Sequence, residues 1–242
     1  MKELGGEQVV GRHAVRELLA ARRRRVRDVW MADTVNDEEI SLLASASGVP
    51  VRHVSRARLD AEARTDAPQG VLAHAQPLPE VELASLCGRP RPFLLVVDGV
   101  TDPHNLGALL RTAEVGGATG AVLPRHRAAH VTPTVTKAAA GAIEYLAIAV
   151  VPGIPSALSE LRANGVWTIG LDPHGESAVH ELDLATEPVA LVVGAEGEGL
   201  SRLAKARCDV LAAVPQYGRL ASLNVSAAAA VAVFEIARRR AL

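Results

Sequence analysis

The apolar positions of this chain fall into two alternating patterns, one with a period near 3.6 and one of short continuous runs, and the alternation lays out its elements. The spacing predicts a helix over 12–21, a strand at 26–31 (VRDVWM), a helix over 37–47, a strand at 51–54 (VRHV), a helix over 56–64 and a strand at 70–75 (GVLAHA). These make a small αβα layered domain over residues 1–76. Residues 77–92 hold Pro77, Pro79, Pro90 and Pro92 with no sustained period, which reads as a linker. A second series occupies 93–242. Runs of apolar β-formers stand at 93–98 (FLLVVD), 120–123 (GAVL), 146–150 (LAIAV), 166–171 (VWTIGL), 189–194 (VALVVG) and 209–214 (DVLAAV), with helical stretches between most of them. Such runs alternating with helices predict an α/β fold, a mostly parallel sheet with helices on both faces. Sheets of this kind bind ligands in the loops at the carboxyl ends of their strands, and three of those loops are unusual here.

The first begins DGVTDPHNLGALLRTAE, residues 98–114. Leu106, Leu109, Leu110 and Ala113 form the buried stripe of a helix, which puts Gly107, Arg111 and Glu114 on another face. A glycine one turn before an arginine admits a close backbone or ligand and lets the guanidinium reach it. The same spacing allows a plainer role, with Asn105 capping the helix and Arg111 paired with Glu114.

The second loop, GAEGEGL at 194–200, has glycines in the order G-x-x-G-x-G (Gly194, Gly197, Gly199), which is not the dinucleotide fingerprint. Glu196 and Glu198 would repel a pyrophosphate. They suit a ligand that carries positive charge and no phosphate, and S-adenosylmethionine with its sulfonium meets that description. Alternatively, both acids complement the dipole of a helix beginning near Leu200. The third loop lies in VPQYGRLASLNVSAAAAVAVFEIARRR, 214–240. A strand ends at Val214, the chain turns at Gly218, and 222–226 (SLNVS) opens an Ala-rich helix whose first half is apolar all round and so expected to be buried. Ser222 or Asn224 can also be no more than its N-cap.

Charge and composition narrow the partners. There are 26 basic and 27 acidic residues, a net charge of −1, which argues against binding nucleic acid by bulk electrostatics and leaves only local contacts. With two Trp, two Tyr and two Phe, a stacking platform of aromatics is close to excluded. Hydrophobic content of 49% and a mean hydropathy of +0.17 fit a soluble globular protein, and no apolar run is long enough to span a membrane. The first residues lack a secretory pattern, so a cytoplasmic protein is expected. Cys87 and Cys208 have no partner at disulfide or zinc spacing. His126 and His130 stand at i, i+4 without a third ligand nearby and read as surface residues, so no metal is expected.

Taken together and in order, N-L-G-x-x-x-R-T-A (105–113), G-A-E-G-E-G-L (194–200) and V-P-x-x-G-x-x-x-S-L-N-V-S (214–226) closely resemble the three motifs of the SpoU (TrmH-like) family of RNA ribose 2′-O-methyltransferases, in the SPOUT superfamily. The resemblance covers residues 93–242. Residues 1–76, with G-R-H-A-V near the start and Q-G-V-L near the end, resemble the L30e-like RNA-binding module that precedes the catalytic domain in many members. Within the family the likeness is greatest to bacterial enzymes that methylate a guanosine ribose in large-subunit ribosomal RNA. The resemblance implies a deep trefoil knot, S-adenosyl-L-methionine as cofactor, an RNA partner and a homodimer. It implies that Gly194, Gly199, Val214, Gly218 and Leu223 line the cofactor. It places Asn105, Arg111, Glu196, Ser222 and Asn224 in the active site, with Arg111 either taking the proton of the 2′-hydroxyl or holding the adjacent phosphate. Gln216-Tyr217 stands where many relatives carry Met and a small residue.

In the first domain, Arg22, Arg23, Arg24 and Arg25, with Arg27 beside them, are the candidates for phosphate contact; a solvated helix end would look the same. Three other functions compete with this one. A dehydrogenase-like nucleotide binder is disfavoured by the glycine order and the acidic loop. A non-catalytic RNA-binding assembly factor is disfavoured by the joint presence of the five active-site residues. A transfer-RNA or antibiotic-resistance methyltransferase would share every feature above.

Overall fold

The computed structural model describes residues 4–126, 130–220 and 222–241, and these divide into two compact units. One is built from the chain up to Pro79 together with His130–Tyr145; the other from Glu80–Ala129 and Leu146–Leu242.

The first unit contains β1 (Gln8–Val10), α1 (Arg12–Ala21), β2 (Val26–Ala32), α2 (Glu38–Ala46), β3 (Val51–Val54), α3 (Arg56–Glu62) and β4 (Val71–Ala75). Among the described residues its sheet has four strands in the order β1-β4-β2-β3. The two pairs made by β4 are antiparallel, and β2 with β3 is parallel. The side chains of Val15, Leu18 and Leu19 on α1, Met31 on β2, Ile40 on α2 and Leu72 on β4 are fully buried in its core. Asp37 caps α2 by accepting from the Ile40 N–H, and Ser55 caps α3 by accepting from the Arg58 N–H.

Residues 130–145 complete this unit, although they follow it by some fifty positions in the chain. They carry the short helix that appears later in chain order, at Pro133–Ala138, and Gly141, whose missing side chain lets α1 come close: a Cβ there would lie 2.3 Å from that of Glu17. Glu144 is 1% exposed and meets the Arg24 guanidinium, 2% exposed, through two bonds of 2.6 and 3.0 Å. Arg24 also donates to the carbonyls of Gly6 and Gln76. A buried guanidinium is tolerated only when its donors are met in this way.

The second unit runs α4 (Leu83–Cys87), β5 (Phe93–Asp98), α5 (Pro103–Val115) and β6 (Gly120–Pro124). After α6 (Pro133–Ala138), which belongs to the first unit, it resumes with β7 (Ala147–Val151), α7 (Ile154–Ala163), β8 (Trp167–Leu171), β9 (Ser177–Ala178), β10 (Val189–Gly194), α8 (Arg202–Lys205), β11 (Val210–Ala213) and α9 (Val225–Arg240). Among the described residues its strands lie in the order β7-β6-β5-β10-β8-β11-β9, and every pairing is parallel. The central strands are buried on both faces, which explains their unbroken apolar runs. Leu94, Val96, Ala190 and Val192 meet α4 and α7, while α5 and α9 pack beside each other and approach β5 and β10. The Pro-bounded stretch expected to be a plain linker thus contributes α4, whose Leu83 and Leu86 enter the core.

The last helix departs from expectation. Ala229, Ala232, Val233 and Ile236 are buried, but Val231 and Phe234 are half-exposed, so α9 is covered along one stripe and not all round. Among the described residues no helix is long and apolar enough to cross a membrane.

The buried pair in the first unit generates a prediction. Glu144→Ala leaves the Arg24 guanidinium buried without its carboxylate and is expected to destabilise the unit by about 3–5 kcal/mol. The double variant Arg24→Met with Glu144→Leu should recover most of that loss. Hydrogen exchange of the β1–β4 amides in the full chain measures both.

Candidate active site

The three unusual loops meet at the carboxyl edge of the second sheet. β5 and β10 are adjacent in register, with Gly194 opposite Asp98, so the loops that follow them start side by side. The loop after β10 is a tight hairpin: Ala195 and Gly199 bond each other reciprocally at 3.0 and 2.9 Å, and Gly197 and Gly199 adopt positive φ. A Cβ on Gly194 would lie 2.1 Å from the backbone carbon of Gly199, so only glycine permits the closure.

Asp102, not Asn105, caps α5, accepting from the N–H groups of His104 and Asn105. Asn105 is thereby free for other work, and its side chain is buried, 8% exposed. The amide nitrogen of Asn224 donates to Asn105 Oδ1 at 3.1 Å and to Glu196 Oε1 at 2.5 Å. The oxygen of the same side chain accepts from Ser226 and Ala227 at the start of α9. Asn224 is therefore both a cap and a bridge: its oxygen faces the helix and its two N–H donors tie together the first and second loops. This also decides between the two roles open to Glu196. It is held by Asn224, while α8, the helix after the hairpin, starts at Arg202 and is capped by Ser201.

Beside this cluster lies a cavity of about 160 Å³, lined by Gly194, Gly199, Val214, Ser222 and Leu223 among others. Glu196 stands at its wall. Asp172, at the end of β8, lines it too; burial alone would push that carboxyl up, but Lys205 at 2.8 Å and the His174 N–H hold it below the usual range. Among the described residues the lining includes no basic side chain. An acidic wall, small and apolar side chains and exposed backbone suit a cationic ligand without phosphate, as the sulfonium of S-adenosylmethionine requires. Gly194, Gly199, Val214, Ser222 and Leu223 are thus placed together. Gly218 is not: it is exposed with open space around it, and Gln216 lines the cavity in its stead. Leu171, Asp172 and Pro173 line the cavity as well, and their place at a strand's carboxyl end is the one sequence signal that marks them.

A profile of the SpoU rRNA Methylase family matches residues 92–234, and one for RNA 2′-O ribose methyltransferase substrate binding matches residues 8–81. The chain belongs to the SpoU rRNA methylase family. It is 38% identical over 242 residues to the 23S rRNA (guanosine-2′-O-)-methyltransferase RlmB of Pseudomonas putida, covering 97% of each chain. It is 38% identical to RlmB of Haemophilus influenzae, covering 97% of this chain and 98% of that one. Among solved structures, the SpoU methyltransferase AviRb from Streptomyces viridochromogenes, in complex with AdoMet, superposes with a TM-score of 0.81 at 25% identity, covering 97% of this chain and 90% of that one. An AdoMet-bound rRNA methyltransferase from Sinorhizobium meliloti gives 0.80 at 26% identity, covering 97% and 87%. As a SpoU methylase the chain is an RNA 2′-O-methyltransferase that uses S-adenosylmethionine, and the charge of the cavity's wall suits the sulfonium of that cofactor.

Two of the expected arginine contacts are not seen in this SpoU methylase. Arg111 is exposed on α5 and, among the described residues, pairs with no carboxylate and bonds to no member of the Asn105–Asn224–Glu196 cluster. Arg24, one of the four arginines expected to touch RNA, is consumed by Glu144 in the core of the first unit and is closed to a phosphate, whereas Arg22 and Arg25 are exposed. His126 and His130 are both exposed. Burial raises both thiols, that of Cys208 to about 12, so neither is disposed to act as a nucleophile.

The double duty of Asn224 is open to a clean test. Asn224→Asp keeps an oxygen to cap α9 but removes both donors and sets a second charge beside Glu196. Methyl transfer should fall by roughly tenfold or more, the scale of a lost bond to a charged group, while thermal stability changes little. Asn224→Ala should lose the same activity and about 1 kcal/mol of stability as well. Gly194→Ala should abolish cofactor binding in calorimetric titration, because its methyl group has no room within the closed hairpin.

Proposed function

We propose that this methyltransferase modifies the ribose of a guanosine in large-subunit ribosomal RNA and works as an obligate two-fold dimer, in which Arg111 of each subunit serves the cofactor cavity of the other. The supporting observation is the division of the machinery: Glu196 and Ser222 line a cavity, Asn224 ties Glu196 to Asn105, and among the described residues no cation lines that cavity, while Arg111 stands exposed on α5 and unpaired by carboxylate. The half-exposed Val231 and Phe234 on α9 and the exposed Val115 on α5 offer the apolar surface that such an interface would cover. The guanosine and the ribosomal RNA follow the names of the relatives given above.

S-adenosylmethionine held beside Glu196 would supply an electrophilic methyl group there. The chain has to bring a ribose 2′-oxygen into line with it and help the hydroxyl proton depart as the oxygen–carbon bond forms. Glu196, positioned by Asn224, lends the cavity negative charge that favours the cationic cofactor. Ser222 and Asn105 orient the ribose, and the planar fork of Arg111 grips the sugar–phosphate from the partner's side. Arg22 and Arg25, the exposed members of the arginine run, contact phosphates further along the RNA. Such a substrate places the protein in the cytoplasm.

Unmodified 23S ribosomal RNA incubated with labelled cofactor should yield label in an alkali-resistant dinucleotide whose 5′ nucleoside is guanosine; label in a free base would refute the reading. Subunit sharing is tested by mixing Arg111→Ala chains with Gly194→Ala chains, each inactive alone. After subunit exchange the mixture should recover about a quarter of wild-type turnover, since half the dimers are mixed and one of their two sites carries neither defect. A mixture that stays inactive would place Arg111 at its own subunit's cavity.

A further inference from the structure

A second cavity, of about 770 Å³, opens on the other side of the 195–199 hairpin, at the carboxyl ends of β5, β6 and β7. It falls within the size range of pockets that take small ligands, ~300–1,000 Å³. The two cavities share the hairpin backbone at Ala195 and Gly199 but divide its carboxylates: Glu196 lines only the cofactor side and Glu198 only this one. Between them Gly197 turns with φ +76° and has nothing within 4 Å of where a side chain would begin, so the ridge between the cavities is bare. Glu198 is exposed and, among the described residues, its carboxylate takes part in no hydrogen bond or ion pair. It therefore has no structural partner to explain it, and the helix beyond it is already capped by Ser201.

The rest of the lining is mixed: Pro124, Pro152, Ile154, Pro155 and Leu200 make an apolar part, and Asp98, Arg202 and other polar residues share the cavity with Glu198. Aliphatic and proline surfaces of this kind accept the face of a nucleobase, and His126 is the one ring with a π-face among the described lining residues. A carboxylate is an acceptor only. Of the four RNA bases, guanine alone offers two adjacent donors, N1–H and the N2 amine, on its Watson–Crick edge; adenine and cytosine set one donor beside an acceptor, and uracil sets one between two acceptors. Glu196 and Glu198 are two residues apart, a span of at most ~7 Å of chain, which is the scale of one nucleoside.

We propose that this second cavity receives the base of the target nucleotide and that Glu198 reads it as guanine, accepting from N1–H and the N2 amine while the ribose crosses the Gly197 ridge to the Asn105–Asn224–Glu196 cluster. The assignment rests on the guanosine methyltransferase reading above and adds to it a residue that determines the base.

The test uses the full-length protein and synthetic RNA fragments around the mapped target, carrying guanosine, inosine or adenosine there. Inosine keeps N1–H and lacks only the N2 amine. Wild-type kcat/KM should fall roughly tenfold or more on inosine and further on adenosine. Glu198→Gln should lower kcat/KM on guanosine by roughly tenfold to a hundredfold and improve the relative rate on adenosine, to which a carboxamide can both donate and accept. Cofactor affinity and thermal midpoint should stay at wild-type values; the wild-type substrate series stands by itself should the variant not fold. Equal rates on guanosine and inosine, an unchanged preference in Glu198→Gln, or loss of cofactor binding in that variant would each overturn the assignment. Failure of the wild-type protein to methylate any ribose would instead remove the functional reading beneath it.

Discussion

The site depends first on a steric constraint in the backbone, the closure of the 195–199 hairpin against Gly194. With a side chain at 194 the hairpin could not fold back on the end of β10. Because it does, Glu196 comes within reach of Asn224, and Asn224 in turn reaches Asn105 on the neighbouring loop. Three segments far apart in the chain are thus fastened by one carboxamide whose other atom starts the final helix. Order in this region is cooperative: the cap, the bridge and the cavity wall form together, which is how a small polar network can be rigid at an exposed edge of a sheet.

Much of this was legible beforehand. The runs at 93–98 and 189–194 are strands with the same bounds, because strands buried on both faces show as unbroken apolar stretches framed by polar turns. The acidic glycine loop was equally readable, since a pair of carboxylates excludes a whole class of ligand whatever the backbone does. β1 left no such trace; a strand of three residues, in the four positions between Gly6 and Gly11, is too short for any period to show. Nor could local pattern tell whether Asn105 or Asp102 caps α5, as both are good caps and the choice is made by the start of the helix at Pro103.

The arginine run shows the opposite failure, in which a strong local signal conceals two different fates. Four consecutive arginines suggest one electrostatic surface. Yet the turn out of α1, with Arg22 in the left-handed region, sends Arg24 inward to Glu144 and leaves Arg22 and Arg25 outside. A charge run is read correctly only when the carboxylate that neutralises one of its members is known, and here that carboxylate lies 120 positions away.

That distance also has a bearing on how the protein is made. Domains commonly fold as they emerge from the ribosome, at roughly 5–20 residues per second. The first unit is an exception to simple order of emergence, since the buried Arg24 guanidinium acquires its counter-charge only once Glu144 has been synthesised, about 6–24 s later at those rates. Until then the guanidinium has only the Gly6 and Gln76 carbonyls as partners from the chain already made, while β5, α5 and β6 are being produced. Synthesis of the catalytic half is therefore interleaved with completion of the RNA-binding half, and neither can be regarded as the earlier product.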